Sequence, residues 1–223
     1  MKRYHNNLSS PTKMPCPSFD LGVWQSGCHK NCAYGKMDIC YAKNNPHELM
    51  PSRIKLLKRN MRLIKSDNFV TKLKRQIIRS NAMYFRFFSS GDFTTMDSFT
   101  KIIKLCSEMP NVKFWIPTTR EDLLAKYVTS GNKIPDNVCI RLSNPVVNSP
   151  MPEAAKSFWR KHGITFSETS TNKKLVNCHA SVQKKNAHCD ICRKCWDREN
   201  ETTVYKIHGQ RAKTNMMKME VLN

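Results

Sequence analysis

The chain has 223 residues, 39% of them hydrophobic, which suffices for one domain with a real core and is too apolar for a disordered chain. Its 38 Lys and Arg against 17 Asp and Glu leave a formal charge of +21; such an excess repels itself unless an anion offsets it, and nucleic acid is the commonest such anion in cells. No apolar run is long enough to span a bilayer, and no apolar segment follows the basic start MKRYHNN, so the expected setting is cytoplasmic and reducing, with no membrane partner.

Residues 1–48 are rich in Cys, Pro, Gly, Ser and Asn and show little periodicity. Only Phe19–Trp24 reads as a short strand, so this segment is expected to be a cysteine-rich, metal-binding loop region. Residues 49–172 carry the basic helices and the βα core. Leu49, Ile54, Leu57, Met61 and Ile64 recur at helical spacing, as do Phe69, Leu73, Ile77 and Ile78. The remaining positions of these two helices hold Arg53, Lys58, Arg59, Arg62, Lys72, Arg75 and Arg79 with Asp67 as the lone acid, a single-sign face suited to a polyanion. The chain then alternates: strand at 84–90, helix at 96–109, strand at 112–118, helix at 121–130, strand at 137–143, helix at 153–162 and strand at 164–170. A last strand is expected at 203–207, within a C-terminal cysteine-cluster segment, 173–223. Thr94 with Asp97, and Thr119 with Asp122, have the spacing of helix caps. Strands alternating with helices imply right-handed crossovers and parallel pairing. The fold class is therefore α/β: a partial parallel (βα) barrel or an open α/β sheet, with cysteine-rich metal-binding N- and C-terminal segments, in one compact domain.

In parallel α/β folds chemistry gathers at the carboxyl ends of the strands. Those ends carry Ser90, Gly91 and Asp92, then Arg120, then Arg141 and Ser143, then Glu168. Asp92 and Glu168 are candidate proton acceptors, Arg120 and Arg141 candidate anion holders, and Ser90, Gly91 and Asp92 a candidate cofactor edge. Against this stands the ordinary use of Ser, Thr, Asp and Asn as caps and turn formers.

Eight of the ten cysteines fall into two groups, Cys16, Cys28, Cys32 and Cys40, and Cys178, Cys189, Cys192 and Cys195. Cys106 and Cys139 are expected to be buried in a helix and a strand. Three cysteines in seven residues suit an iron–sulfur cluster of the 4Fe-4S type better than tetrahedral zinc, which remains the alternative metal. In the first group, Cys28, Cys32 and Cys40 could hold a cluster with one iron open to S-adenosylmethionine; their C-x3-C-x7-C spacing departs from the usual C-x3-C-x2-C, and Cys16 as a fourth ligand would close the site. His29, His47, His179 and His188 lie near these groups and are read as bystanders.

The segments beginning at Lys13 (KMPCPS), Cys40 (CYA), Phe85 (FRFFSSGDF), Val112 (VKFWIPTTR), Arg141 (RLS) and Cys189 (CDICRKCWD) together resemble the phage and plasmid proteins of the gene product 88 family. The resemblance implies a phage or mobile-element origin, hence a host bacterial cytoplasm, and supplies no reaction. A fainter, fold-level likeness is to radical S-adenosylmethionine enzymes. Two readings follow. One is an iron–sulfur enzyme of radical type that modifies nucleic acid or nucleotides. The other is a non-catalytic, metal-stabilised basic protein that binds nucleic acid or a host protein.

Overall fold

The computed structural model describes residues 7–11, 14, 16–43, 45–182, 189, 191–207, 212, 214 and 215. It opens with β1 (Ser18–Phe19), followed by three single-turn helices, α1 (Val23–Ser26), α2 (Cys28–Asn31) and α3 (Ala33–Lys36). Two long helices come next, α4 (Pro51–Lys65) and α5 (Phe69–Arg79). The alternating part is β2 (Tyr84–Phe87), α6 (Met96–Ser107), β3 (Lys113–Thr118), α7 (Glu121–Thr129), β4 (Val138–Val147), α8 (Glu153–Arg160) and β5 (Thr165–Ser170). A short α9 (His179–Val182) and β6 (Thr202–Lys206) complete the elements.

The six strands form one sheet in the order β1-β2-β3-β4-β5-β6, and every neighbouring pair is parallel. Each strand therefore returns beside its predecessor through a crossover, and crossovers of one hand place the helices on one side. The core has that arrangement. Phe85 and Phe87 of β2, Phe114 and Ile116 of β3, Val138, Ile140 and Leu142 of β4, and Phe166 of β5 pack with Phe69, Leu73 and Ile77 of α5, Phe99 and Ile102 of α6, Leu124 of α7 and Trp159 of α8. Side chains alternate along a strand, so Tyr84, Arg86, Trp115, Cys139, Arg141, Ser143, Thr165 and Ser167 occupy the opposite face.

The expected alternation of strands and helices is present, with ends shifted by a few residues. The expected strand at Phe19–Trp24 is only two residues long, because Gly22 turns the chain at φ +75 and α1 begins at Val23. Thr94 is not the cap of α6: Thr95 is, in a capping box with Ser98. Arg120 stands at the N-cap of α7 without a side-chain cap bond, and Thr118 and Thr119 are engaged by Asp92. A register shift between Ser143 and Val147 interrupts the pairing of β4 with β5, which resumes at Val147 and Thr169. Cys106 and Cys139 are buried as expected. Among the described residues no helix is long and apolar enough to cross a membrane.

Candidate functional site

The loop after β1 lies across the carboxyl ends of the strands. Tyr41 donates its hydroxyl to the Ser89 carbonyl after β2. The Tyr34 hydroxyl meets the Asn144 carbonyl in β4 and Thr169 Oγ1 in β5. Ile39 packs with Ile207, just past β6. The loop thus touches the sheet from β2 to β6 and carries three thiols there. Burial pushes the Cys28 thiol up to about 12, and negative charge on Asp92, Cys40 or Cys32 opposes its ionisation further. Cys40 is likewise raised, first by burial and then by the charge of Cys32. Cys28, Cys32 and Cys40 thus lie on one loop within range of each other's charge. Beside them a cavity is lined by Asn31, Cys32, Tyr34, Thr119, Glu121 and Ser143, together with Leu142, Pro145 and Met151.

Cys16 stands elsewhere. It is 1% exposed and packs with Trp115 and Trp196 on the face of the sheet turned away from the helices. Its thiol is pushed up to about 12 by burial, against the opposing charges of Arg86 and Arg193. Cys16 thus packs on the face away from the helices, whereas Tyr34 and Tyr41 of the loop after β1 reach the strand ends.

Ser90, Gly91 and Asp92 tie strands together. Leu21 and Gly22 both donate their amides to the Ser90 carbonyl. Gly91, at φ +84, lets the two chains approach, since a Cβ there would stand 2.8 Å from the Gly22 nitrogen. Asp92 is buried and accepts from the Phe93 amide, the Thr118 hydroxyl, and the amide and hydroxyl of Thr119. Burial raises its carboxyl above the ordinary range even against those donors. Both oxygens are occupied, so Asp92 acts as a strap from β2 to β3, not as a free acceptor at the rim. Arg120 forms a two-point pair with Asp122 and donates to the Phe93 and Thr94 carbonyls, which holds the same corner. Ser143 does line the cavity.

Two expected rim residues are elsewhere. Glu168 shares the parity of Phe166 and so faces the helices; it pairs with Lys156 of α8 at 3.2 Å and accepts from the Met151 amide. Arg141 is the fourth residue of a ten-residue strand, not its end, and is fully buried on the other face. Its guanidinium donates to five backbone carbonyls, those of Cys195, Phe166, Lys194, Asp197 and Asn200. Four of these belong to the C-terminal cysteine loop, so Arg141 is the anchor of that loop. Trp196 completes the seat by donating to the Phe85 carbonyl, and Arg198 does so by donating to the Ile134, Pro135 and Val138 carbonyls. Cys178, Cys189, Cys192 and Cys195 line one cavity in this seat, with His179 beside them. Burial raises the Cys195 thiol to about 11. His29 meets the Val23 carbonyl and stacks on Trp24; the His47 side chain, His188, Lys13 and Pro15 lie outside the described residues.

All ten cysteines are free of disulfides. Among the described residues, no three Cys, His, Asp or Glu side chains are gathered closely enough to hold a metal ion as they stand.

The family model of gene product 88 matches residues 3–198. The chain belongs to the gene product 88 family. No curated protein and no solved structure matches it. The span shared with the gene product 88 family takes in both cysteine loops, Arg141 and the basic helices, and stops short of β6.

Those helices divide in two. Lys58, Arg62, Lys72, Arg75 and Arg79 are exposed on α4 and α5, and Arg59 is half-buried. Arg53 is not part of this surface. It is buried, pairs with Asp20 at 2.9 Å and Glu48 at 3.1 Å, and reaches Ser9 and Ser90. Burial pushes the Asp20 carboxyl up, but Arg53 and the bonds from Ser89 and Ser9 outweigh it and hold it below the usual carboxylate range. Arg53 therefore locks α4 to the end of β1 and is removed from the nucleic-acid set.

Proposed function

We propose that this member of the gene product 88 family is an iron–sulfur enzyme of radical type, acting on nucleic acid or a nucleotide, with Cys28, Cys32 and Cys40 as ligands of a 4Fe-4S cluster. One observation carries the reading. The thiols of Cys28, Cys32 and Cys40 lie in the loop after the first strand, which reaches the carboxyl ends of a parallel sheet wound in chain order, while Cys16 packs with Trp115 and Trp196. Three ligands leave one metal position open, and it would face the cavity of Tyr34, Thr119, Glu121 and Ser143. The donor set fits in kind, being three half-buried sulfurs, although among the described residues no three such groups stand close enough to hold a metal. When bound, such a cluster supplies the electron that splits S-adenosylmethionine. Tyr34 holds the loop over β4 and β5, and the strap of Asp92, Thr118 and Thr119 fixes the strand ends beneath it.

The test is turnover by anaerobically purified, reduced protein. The expected product is 5′-deoxyadenosine from S-adenosylmethionine, absent in Cys32→Ser. Zinc at full occupancy in the same preparation, or no cleavage by an iron-loaded protein, would end the radical reading.

A second reading rests on its own observation, the exposed single-sign surface of α4 and α5. In it the chain is a metal-stabilised protein that binds nucleic acid. Binding would weaken steeply with salt as counterions are released, and further on reversing Lys58, Arg62 and Arg75 to Glu. No binding to RNA or DNA at low salt would remove it.

A further inference from the structure

The loop that carries Cys28, Cys32 and Cys40 also carries two large rings that the core does not take. Trp24 of α1 is 43% exposed and Tyr41 is 47% exposed. A single exposed ring needs no explanation, but two fixed rings on one basic loop do. Both are held in place. Trp24 stacks on His29 with ring centroids 4.7 Å apart, and the His29 ring meets the Val23 carbonyl at 3.1 Å. Tyr41 turns its hydroxyl inward, to the Ser89 carbonyl. Lys43, two residues on, lies over the Trp24 ring at 5.9 Å and so brings the chain near Tyr41 back to Trp24.

The surroundings of these rings are cationic. α1 lies against α4: a Cβ at Gly22, two residues before Trp24, would stand 2.7 Å from Leu57 Cδ1. On either side of the buried Leu57, Lys55 and Lys58 are exposed, and Arg62 is exposed one turn on. Lys30 and Lys36 are exposed on the loop itself. Between residues 21 and 65 the acids are Asp38 and Glu48 alone, and both are engaged. Asp38 pairs with Lys43 at 2.8 Å, and Glu48 with the buried Arg53 at 3.1 Å. These two pairs leave no acid of this stretch to offset Lys30, Lys36, Lys55, Lys58 and Arg62, and a polyanion is the partner that such a surface suits.

We infer that Trp24 and Tyr41 form a stacking platform for the bases of an unpaired nucleic-acid strand, whose phosphates run along the cations of the loop and of α4. An aromatic ring accepts any base by its π face, while lysines and arginines follow the backbone. A duplex keeps its bases stacked inside and has none to offer the rings. An acidic polypeptide would suit the cations and leave the rings idle. The inference rests on the reading of this chain as acting on nucleic acid, and it names the form of that substrate, a single strand of RNA or DNA. His29 joins Trp24 to Cys28, its neighbour in the chain, so a base on Trp24 sits at the edge of the loop to which the chemistry is assigned.

The experiment is binding of one labelled oligonucleotide, as single-stranded RNA, single-stranded DNA and the matched duplex, to the full chain purified anaerobically. Anisotropy is read at low salt for wild type, Trp24→Ala and Trp24→Phe. Wild type is expected to prefer a single strand to the duplex. Trp24→Ala is expected to weaken single-strand binding about 5- to 100-fold and duplex binding less than about two-fold, and Trp24→Phe to keep most of the wild-type affinity. Should Trp24→Ala not fold, tryptophan fluorescence decides: the single strand is expected to quench it in wild type, and to quench it less in Trp24→Phe. Equal quenching in both overturns the inference. Duplex bound as tightly as either single strand, or Trp24→Ala binding like wild type, overturns it too and leaves the nucleic-acid reading in place. No binding of any of the three at low salt removes the platform and that reading together.

Discussion

The two faces of the sheet are built by different means. Toward the helices, Phe85, Phe87, Phe114, Ile140 and Phe166 meet the apolar stripes of α5 to α8, and shape and burial suffice. Toward the other side, Arg86, Trp115, Cys139 and Arg141 meet a loop that has almost no regular structure of its own. That loop is seated through its carbonyls by Arg141 and by its own Arg198, which donates to the carbonyls of Ile134, Pro135 and Val138. One face closes by the hydrophobic effect alone. The other has buried donors that the described protein groups leave unsatisfied. The difference teaches where this molecule is self-sufficient and where it calls for a ligand.

The comparison can be broken first at the helix side. Phe114→Ala removes a fully buried ring between β2 and α6, and a loss of about 3–5 kcal/mol in chemical denaturation is expected whether or not the protein holds metal. On the other face, Arg141→Ala leaves five carbonyls without their donor; a loss of about 3–4 kcal/mol is expected, with proteolysis appearing near residues 191–200 before the rest of the chain is cut. A smaller, pH-dependent effect belongs to Asp20. Its folded carboxyl titrates below the unfolded value of about 3.9, so its stabilisation is present above that pH and fades as the pH falls through the lower folded value. Asp20→Asn is expected to cost about 2–3 kcal/mol at neutral pH, shrinking to little at the acid end of a melting series. Smallest is the solvent surface: Lys72→Ala and Arg75→Ala are expected to change stability by no more than about 0.5 kcal/mol while weakening any nucleic-acid binding at low salt.

Much of the fold was legible because the crossover helices repeat at 3.6 and their strands at 2. The errors came from reading residues by their distance from a strand end instead of by parity. Arg141 alternates with Ile140 and Leu142, which face the helices, so its place on the other side follows from period 2. Glu168 has the parity of Phe166, which puts it with α8. Arg53 stands four residues before Leu57, on the face that also buries Asn60 and Ile64, and its removal from the basic surface was readable from that spacing. The position of Cys16 was not readable. It is twelve residues from Cys28 in sequence, with β1 between them. Only the C-terminal loop, seated across the sheet by Trp196, brings Trp196 and Cys195 onto the cluster that buries it. Trp115, Trp196 and Arg86 likewise gave no signal in sequence, because their roles depend on the loop that covers them.

The central claim is that the helix face holds itself together and the thiol-bearing segments depend on bound metal. Amide hydrogen exchange on anaerobically purified protein, before and after metal is stripped by a chelator, tests it most directly. Protection is expected to fall in residues 28–43 and 191–200 while α6, α7 and β3 stay protected. Protection that is unchanged in both cysteine loops, or lost evenly over the whole chain, would contradict the account.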